Sequence, residues 1–285
     1  DVHRTGMIGE RFNDLTTTIG SLPSKRTSTN PAFAAAVVDM LARAGVRHGD
    51  TVAVCFSASF PALNIAVLSA VRALGLRPVI ISSVGASMYG ANQAEMTWLD
   101  MESVLEREGV LPYRSVAASL GGISDTHGGL DGTGLDTGIA AVERNRIVFL
   151  DEGGVRTQSA DIRRRLEIYA RALNGGKPAA FINVGGSQTA LGNAGEVLPL
   201  SNGLLKRVPA TNDPERGIIF HMHEQGVPVI HLLKIRSLAK QYGIPFDPPL
   251  PPEATEIVTG HSAAKTWAMV LLAVLALTLL LREKA

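Results

Sequence analysis

The chain has 285 residues, of which 27 are basic and 26 acidic, so its formal net charge is +1. This balance lacks the basic excess of a nucleic-acid-binding protein, and no motif of that class is present, so nucleic acid is not an expected partner. Aromatic residues make up only 5% of the chain, which argues against a carbohydrate-binding surface of stacked rings. The single cysteine, Cys55, excludes an intrachain disulfide framework and is interpreted as a core residue.

The first 30 residues form a hydroxyl-rich segment that we expect to be extended. It contains the pair Lys25 and Arg26, followed by Thr27, and these side chains are candidates for binding a carboxylate or phosphate. A disordered linker would have a similar composition. Asn30 as N-cap and Pro31 at the first helical position then predict a helix through residue 44.

Short apolar runs alternate with helical patterns from residue 51 onwards. Strands are predicted over 51–56, 77–82, 146–150, 179–184 and 227–231. Helices are predicted over 61–74, 98–108 and 155–173. Near-continuous apolar strands separated by helices indicate a parallel sheet that is covered on both faces. The sequence therefore predicts a three-layer α/β fold with a mostly parallel sheet and helices on both faces, over residues 1–246.

Loops at the carboxyl ends of such strands are where ligands bind in open α/β sheets. The first loop carries Ser57, Ser59 and Asn64 at a predicted helix N-terminus, which is a candidate anion site or a simple helix cap. Its spacing is similar to that of a nucleophile elbow, although the glycines of that motif are absent.

The next two loops are also polar. Ser82, Ser83 and Ser87 lie in a serine- and glycine-rich loop after the second strand, which is a candidate ligand loop. Asp151 and Glu152 follow the third strand, where two carboxylates could hold a cation or act as a base, or cap a turn.

The fourth loop is the most specific of the set. Gly185 and Gly186 allow close approach of the backbone to a ligand, and Ser187 and Gln188 open a helix with donors facing the site. The loop is not a phosphate-binding Walker A loop, because the Gly-Lys-Ser/Thr ending is missing. His231, at the end of the fifth strand, is a further candidate functional residue.

Two other segments bear on metals and mobility. Residues 119–138 are rich in glycine and aspartate and predict a mobile loop or lid, with a spacing that fits no EF-hand. His221, His223 and Glu224 could supply metal ligands, but a strand end that runs into a polar helix face is the preferred interpretation. Neither a metal site nor a cofactor is predicted.

The C-terminal segment predicts membrane attachment. Residues 247–262 form a Pro-rich linker, residues 263–281 a transmembrane helix with Trp267 at the interface, and residues 282–285 a short basic tail. The positive tail places the globular domain outside the cytoplasm, by a margin of one basic residue. A tail-anchored domain in the cytosol and a buried C-terminal core helix are the alternatives.

Several stretches together resemble the poly-gamma-glutamate system protein family over residues 15–245. The stretches are TTTIGSLPSKRTSTNP, FSASFPALNIAVLSA, VIISSVGASMYGAN with TWLDME, DTGIAAVERN, FINVGGSQTALG and GVPVIHLLKIRSLAKQYGIP. The resemblance implies a membrane-anchored bacterial accessory protein that works beside poly-gamma-glutamate synthase and export subunits in capsule biosynthesis. It also implies a further membrane span before Asp1. The family has no agreed catalytic residues, so none are carried over.

Three functions remain open from the sequence. The first is an accessory component that binds an anionic glutamyl polymer at the strand ends. The second is a hydrolase or transferase acting on a gamma-amide, with Ser57 or Ser59 as nucleophile, His231 as base and the Gly185–Gly186 backbone as oxyanion donors. The third is a scaffold that assembles with itself or with the synthase subunits.

Overall fold

The computed structural model describes residues 4–123, 125, 128–150, 157–193 and 200–249. The predicted transmembrane helix, the basic tail and all but the first residues of the Pro-rich linker lie outside these ranges. Within them, no helix combines the length and the apolar character needed to cross a bilayer.

Strands and helices alternate along most of the described chain. The strands are β1 (Thr16–Thr18), β2 (Thr51–Ser57), β3 (Arg77–Ser83), β4 (Ala86–Ser87), β5 (Asn92–Gln93), β6 (Met96–Thr97), β7 (Ala117–Ser119), β8 (Val148–Phe149), β9 (Phe181–Val184), β10 (Gly203–Leu204) and β11 (Val229–Leu232). The helices are α1 (Leu22–Ser28), α2 (Ala32–Arg43), α3 (Pro61–Ala73), α4 (Trp98–Arg107), α5 (Gly132–Arg144), α6 (Gln158–Ala172), α7 (Gln188–Leu191), α8 (Ile218–Glu224) and α9 (Ile235–Tyr242).

The central sheet has seven strands in the order β10-β11-β9-β2-β3-β7-β8. Every neighbouring pair is parallel except β10 and β11, which form an antiparallel edge. The predicted α/β class with a mostly parallel sheet is therefore confirmed. Two small sheets lie beside it, the parallel pair β1 and β4 and the hairpin of β5 and β6.

Alternate residues of the central strands enter two separate cores, one on each face of the sheet. Val54 and Phe56 of β2 pack with α2, α3, α4 and α9, and Phe56 meets Trp98 edge to face at 5.5 Å. Ala53 and Cys55 point the other way and pack with α6, α7 and α8. Helices thus cover both faces, because every second side chain of a buried strand needs an apolar partner on its own side.

The N-terminal segment is more regular than the extended conformation predicted for residues 1–30. Ser21 caps α1 by accepting a hydrogen bond from the Ser24 N–H at 3.4 Å, and Pro23 occupies the first turn. Thr16 and Thr18 of β1 pair with Ala86 and Ser87 of β4. Tertiary pairing and a cap therefore order a segment whose composition suggests a coil.

The predicted loop over residues 119–138 is also partly wrong, since α5 begins at residue 132. The Asp131 side chain caps α5 by accepting a hydrogen bond from the Gly134 N–H at 3.0 Å. A Cβ on Gly134 would come within 2.2 Å of the Asp14 carbonyl oxygen. Glycine at this position of α5 therefore permits close packing against the Asp14 backbone.

A buried carboxyl group on α4 gives the fold a testable pH dependence. Glu102 is fully buried, accepts hydrogen bonds from Ser115 N–H at 2.8 Å and Ser115 Oγ at 2.9 Å, and burial raises its pKa to about 7. The folded pKa lies above the unfolded value of 4.5, so the folded state favours the protonated carboxyl. The contribution of Glu102 to the free energy of unfolding is therefore full below pH 4.5 and is lost as the pH rises to about 7.

Replacing Glu102 by glutamine should therefore raise the free energy of unfolding above pH 7, by up to about 3 kcal/mol, and leave it nearly unchanged at pH 4.5. Thermal unfolding of both proteins at the two pH values measures this difference. An equal difference at both values would show that the carboxyl does not titrate in this range.

Candidate functional site

One cavity of about 300 Å³ opens at the carboxyl ends of β2 and β3. It lies where the first, second and fourth loops of the sequence analysis meet, together with the segment between β1 and α1. Its lining residues are Thr17, Thr18, Ile19, Gly20, Ser21, Ser24, Lys25, Ser57, Ser59, Phe60, Ser83, Gly85, Ser87, Gly121, Gly122, Asp125, Gly186, Ser187 and Leu233. Hydroxyl groups and glycines dominate this surface.

Three serines connect the two central loops of the cavity. Ser57 Oγ donates to Ser59 Oγ at 2.9 Å and accepts from the Ser59 N–H at 3.1 Å. Ser59 Oγ also accepts from the Ser87 N–H at 2.9 Å. Because β4 is paired with β1 on its other side, these bonds hold the Ser87 backbone in one position relative to the sheet.

Lys25 reaches into the same wall from α1. Its side chain is 1% exposed, and Nζ lies 2.7 Å from Ser87 Oγ, bonds the Ser59 carbonyl oxygen, and sits 3.9 Å from the centroid of the Phe60 ring. No carboxylate of the described residues lies within ion-pair distance of Nζ. Burial without a counter-charge lowers the pKa of Lys25 to about 7. Both protonation states of the amine are therefore accessible near neutral pH.

A second polar cluster of the cavity lining is centred on Asp125. Its carboxylate accepts from Ser187 Oγ at 2.6 Å, from Ser119 Oγ at 3.0 Å and from Thr189 Oγ1, and it pairs with Arg165 at 3.4 Å. Burial by itself would raise the pKa of Asp125, but the guanidinium and these hydroxyl donors together lower it. The carboxylate is therefore charged, and its hydrogen-bond partners hold it in one position.

Cys55 lies in the sheet beneath this group and takes no part in the cavity surface. It is buried, and desolvation raises the pKa of its thiol to about 12. The thiol is accordingly protonated and unreactive at neutral pH.

Seven of the sequence-predicted ligand residues line the cavity together. They are Lys25, Ser57, Ser59, Ser83, Ser87, Gly186 and Ser187. The parallel register of β2 with β3 and β9 explains the convergence, since it places the ends of these strands at one edge of the sheet.

Arg26, Thr27 and Asn64, which were predicted to bind the ligand, do not line the cavity, because their polar groups bond other parts of the fold. Arg26 makes a two-pronged ion pair with Asp247, Nε to Oδ1 at 2.6 Å, so its charge is already used. Thr27 Oγ1 donates to the Pro23 carbonyl at 2.7 Å and accepts from the Asp247 N–H. Asn64 is fully buried and donates to the Ser57 carbonyl at 3.1 Å.

Three more predicted residues do not line the cavity. Ser82 points to the other side of β3 and bonds Ser115 Oγ at 2.7 Å, because strand residues alternate in direction. Gln188 lies inside α7, one residue beyond Ser187. Gly185 donates its N–H to the Leu232 carbonyl at 2.9 Å, so it does not serve as an oxyanion donor.

The conformation of Gly185 nevertheless shapes this edge of the site. Its φ of +91° is in the left-handed region, and a Cβ there would come within 2.6 Å of Ser57 Cβ. Glycine at this position therefore allows the chain after β9 to pass directly against the end of β2.

His231, the base proposed from the sequence, lies away from the cavity. It is 1% exposed within β11, and its Nδ1 is 3.0 Å from Asn183 Nδ2. Burial and the nearby Lys234 charge lower the pKa of His231 to about 4. The side chain is a buried neutral group of the sheet and bonds Asn183. The predicted pairing of His231 with Ser57 or Ser59 is therefore not formed.

Asp151 and Glu152 lie outside the described residues. The lining residues that sequence reasoning did not select come chiefly from the segment before α1 and from the chain after β7. Asp125 was visible only as one aspartate in a glycine-rich stretch, and its role depends on Arg165 of α6, which no local pattern connects to it.

The described residues contain no group of three His, Cys, Asp or Glu side chains placed to hold a metal ion. His221, His223 and Glu224 belong to α8, which replaces the predicted strand end with a helix. No protein-family model and no curated protein matches this sequence.

Proposed function

We propose that this chain is a membrane-anchored accessory component of poly-gamma-glutamate production or export, and that its cavity binds a carboxyl group of a glutamyl chain. One observation carries the proposal. The Lys25 side chain is buried at the cavity wall and has no carboxylate partner among the described residues. A buried ammonium without a partner is unfavourable, so the site gains most from a ligand that brings a negative charge.

The size and lining of the cavity support a small polar ligand. A volume of about 300 Å³ is at the low end of small-molecule sites, which suits one or two glutamyl units. The Ser87 hydroxyl, which accepts from the charged Lys25, supplies a donor for a carboxylate oxygen beside it. The net charge of +1 gives no long cationic track, so recognition of an anionic polymer would be local.

The glutamyl identity of the ligand and the partners are supported by the family resemblance. That resemblance and the apolar run over 263–281 favour a domain held at the cell membrane on its extracytoplasmic side. Synthase or export subunits would then deliver the polymer end to the cavity.

Isothermal titration with short gamma-glutamyl oligomers tests the proposal. A bound carboxylate raises the pKa of Lys25 above its free value of about 7. The complex therefore takes up a proton at pH 8, and affinity should fall up to tenfold per pH unit above pH 7. Titration in two buffers of different ionisation enthalpy measures the proton uptake.

The matched variants are Lys25→Met, which should bind at least tenfold more weakly at pH 6.5, and Lys240→Met, an exposed lysine of α9 that should leave binding unchanged. Binding that is independent of pH and insensitive to Lys25→Met would exclude this lysine as the carboxylate partner.

A further inference from the structure

Lys25 and Ser87 are arranged as a base and a nucleophile. Their polar atoms are 2.7 Å apart, both side chains line the cavity, and both are less than 10% exposed. A neutral lysine amine has one lone pair and two N–H groups. One N–H bonds the Ser59 carbonyl, which orients the amine and leaves the lone pair for the Ser87 hydroxyl proton. Serine–lysine pairs of this kind are an established variant of nucleophilic catalysis.

We infer that Ser87 and Lys25 form a catalytic dyad that cleaves or transfers acyl groups from amides held in this cavity. The inference rests on the proposed function for one element, the choice of a gamma-glutamyl amide as the substrate class. In that class the carboxyl group bound beside Lys25 is the product of the reaction that the dyad performs.

Ser87 is a better nucleophile than its two neighbours because of their hydrogen bonds. Ser59 Oγ accepts from both Ser57 Oγ and the Ser87 N–H, at 2.9 Å each, so its lone pairs are occupied. Ser57 Oγ donates its proton to Ser59 and accepts from the Ser59 N–H. Ser87 Oγ contacts the amine directly. Ser57 and Ser59 are therefore positioning residues that fix the loop and the Ser87 backbone.

The loop after β9 offers candidate donors for the developing oxyanion. The backbone N–H groups of Gly186 and Ser187 have no acceptor among the described residues, and both residues line the cavity. The Ser187 side chain is tied to Asp125 at 2.6 Å, which holds this backbone in place. Preorganised N–H groups of this kind stabilise a tetrahedral intermediate.

The reaction balances on these groups and water. Lys25 Nζ takes the Ser87 hydroxyl proton as Oγ bonds the amide carbon, and the carbonyl electrons move to its oxygen. Collapse of this intermediate breaks the C–N bond, and the Lys25 ammonium gives its proton to the leaving amine. An ester to Ser87 remains. Water, or an acceptor amine in a transfer, attacks the ester and loses a proton to Lys25, which returns it to Ser87 Oγ.

The charged groups around Lys25 leave this cycle free to run near neutral pH. Asp125 lines the same cavity and is paired with Arg165. On α1 itself, Arg26 is paired with Asp247, and from α9 the Arg236 guanidinium stacks on Phe246 at 3.8 Å. Burial lowers the pKa of Lys25 to about 7, so the base form increases as the pH rises through 7. Catalysis and carboxylate binding therefore depend on pH in opposite directions.

The test uses the full chain in mild detergent with two probes, a fluorophosphonate and gamma-glutamyl p-nitroanilide. Peptide mass spectrometry locates the phosphonyl adduct, and absorbance follows release of p-nitroaniline. We expect the adduct on Ser87, with a rate that rises about tenfold from pH 6 to 8 and levels above pH 8. Lys25→Met should slow both reactions by about 10²–10⁴-fold. Ser87→Ala should abolish them, and the control Ser82→Ala, a buried serine outside the cavity, should not.

Each other outcome is decisive. An adduct on Ser57 or Ser59 would overturn the assignment of Ser87. No adduct and no release, in a protein that binds gamma-glutamyl oligomers with the expected pH dependence, would overturn the dyad and leave the binding function standing. If binding of gamma-glutamyl oligomers is also absent, both the dyad and the proposed binding function are overturned. Thermal unfolding of every variant separates these results from misfolding.

Discussion

Lys25→Met should make the protein more stable at pH 7 while it weakens ligand binding and slows acyl transfer. The folded pKa of about 7 lies below the unfolded value of 10.5, so the folded state binds fewer protons. Burial of the Lys25 amine therefore lowers the free energy of unfolding by the full amount below pH 7 and by nothing above about pH 10.5. The difference between the two pKa values corresponds to about 5 kcal/mol. Loss of the hydrogen bonds of the lysine offsets part of this gain. A gain of about 2–4 kcal/mol is expected, since destabilising groups are retained at functional sites.

Denaturant unfolding at pH 6.5 and pH 10.5 measures the gain, which should be present at the first and nearly absent at the second. Lys240→Met, on the exposed face of α9, should change stability by less than about 0.5 kcal/mol at both. A destabilised Lys25→Met protein at pH 6.5 would show that the lysine is a structural group.

Arg165→Met should have the opposite effect and lower the free energy of unfolding. Its guanidinium is buried, 3.4 Å from Asp125 and 2.8 Å from Ser119 Oγ. Removing it leaves a buried carboxylate without a counter-charge, which costs about 3–5 kcal/mol. The melting temperature should fall by about 2–4 °C for each kcal/mol. Because Asp125 holds Ser187 at the cavity wall, binding should weaken with stability.

Two comparisons separate the charge effect from loss of packing. Arg164→Met, the exposed neighbour on α6, should leave the melting temperature nearly unchanged. Adding Asp125→Asn to Arg165→Met should recover part of the lost stability, because the carboxylate charge is then gone. No recovery in the double variant would mean that Arg165 acts through packing alone.

The sequence predicted the sheet where its strands are long and buried on both sides. Thr51–Ser57 and Arg77–Ser83 stand out as apolar runs, and the helices after them begin close to where the spacing places them. The strands Ala117–Ser119 and Gly203–Leu204 escaped notice because two or three residues carry no periodicity. Tertiary pairing alone makes them strands.

The site was predictable as a set of loops but not as chemistry. The rule of strand ends selected Ser57, Ser87 and Ser187, since parallel strands finish at one edge. Lys25 was expected to bind an anion from an extended, hydroxyl-rich segment. Its burial depends on α1 packing over the loops after β2 and β3, which no local pattern encodes. The lowered pKa of Lys25 follows only from that burial. The sequence-based hypothesis therefore assigned the role of general base to His231.

Both proposed activities use one lysine in two protonation states. With Lys25 charged, the cavity holds a carboxylate; with Lys25 neutral, Ser87 becomes a nucleophile toward the corresponding amide. A gamma-glutamyl amide and the carboxylate that it yields fit these two states. The opposite pH dependences of binding and acylation are therefore a signature of the site as a whole.

The pKa of Lys25 in the folded chain tests the central claim most directly. Nuclear magnetic resonance of protein labelled at lysine, with Lys25→Met to assign the signal, follows the side chain from pH 5 to pH 11. A titration midpoint near 7 is the predicted result, as burial beside Ser59, Phe60 and Ser87 requires. A midpoint near 10.5 would show an ammonium that stays charged through neutral pH, and would contradict both the dyad and the pH dependence of binding.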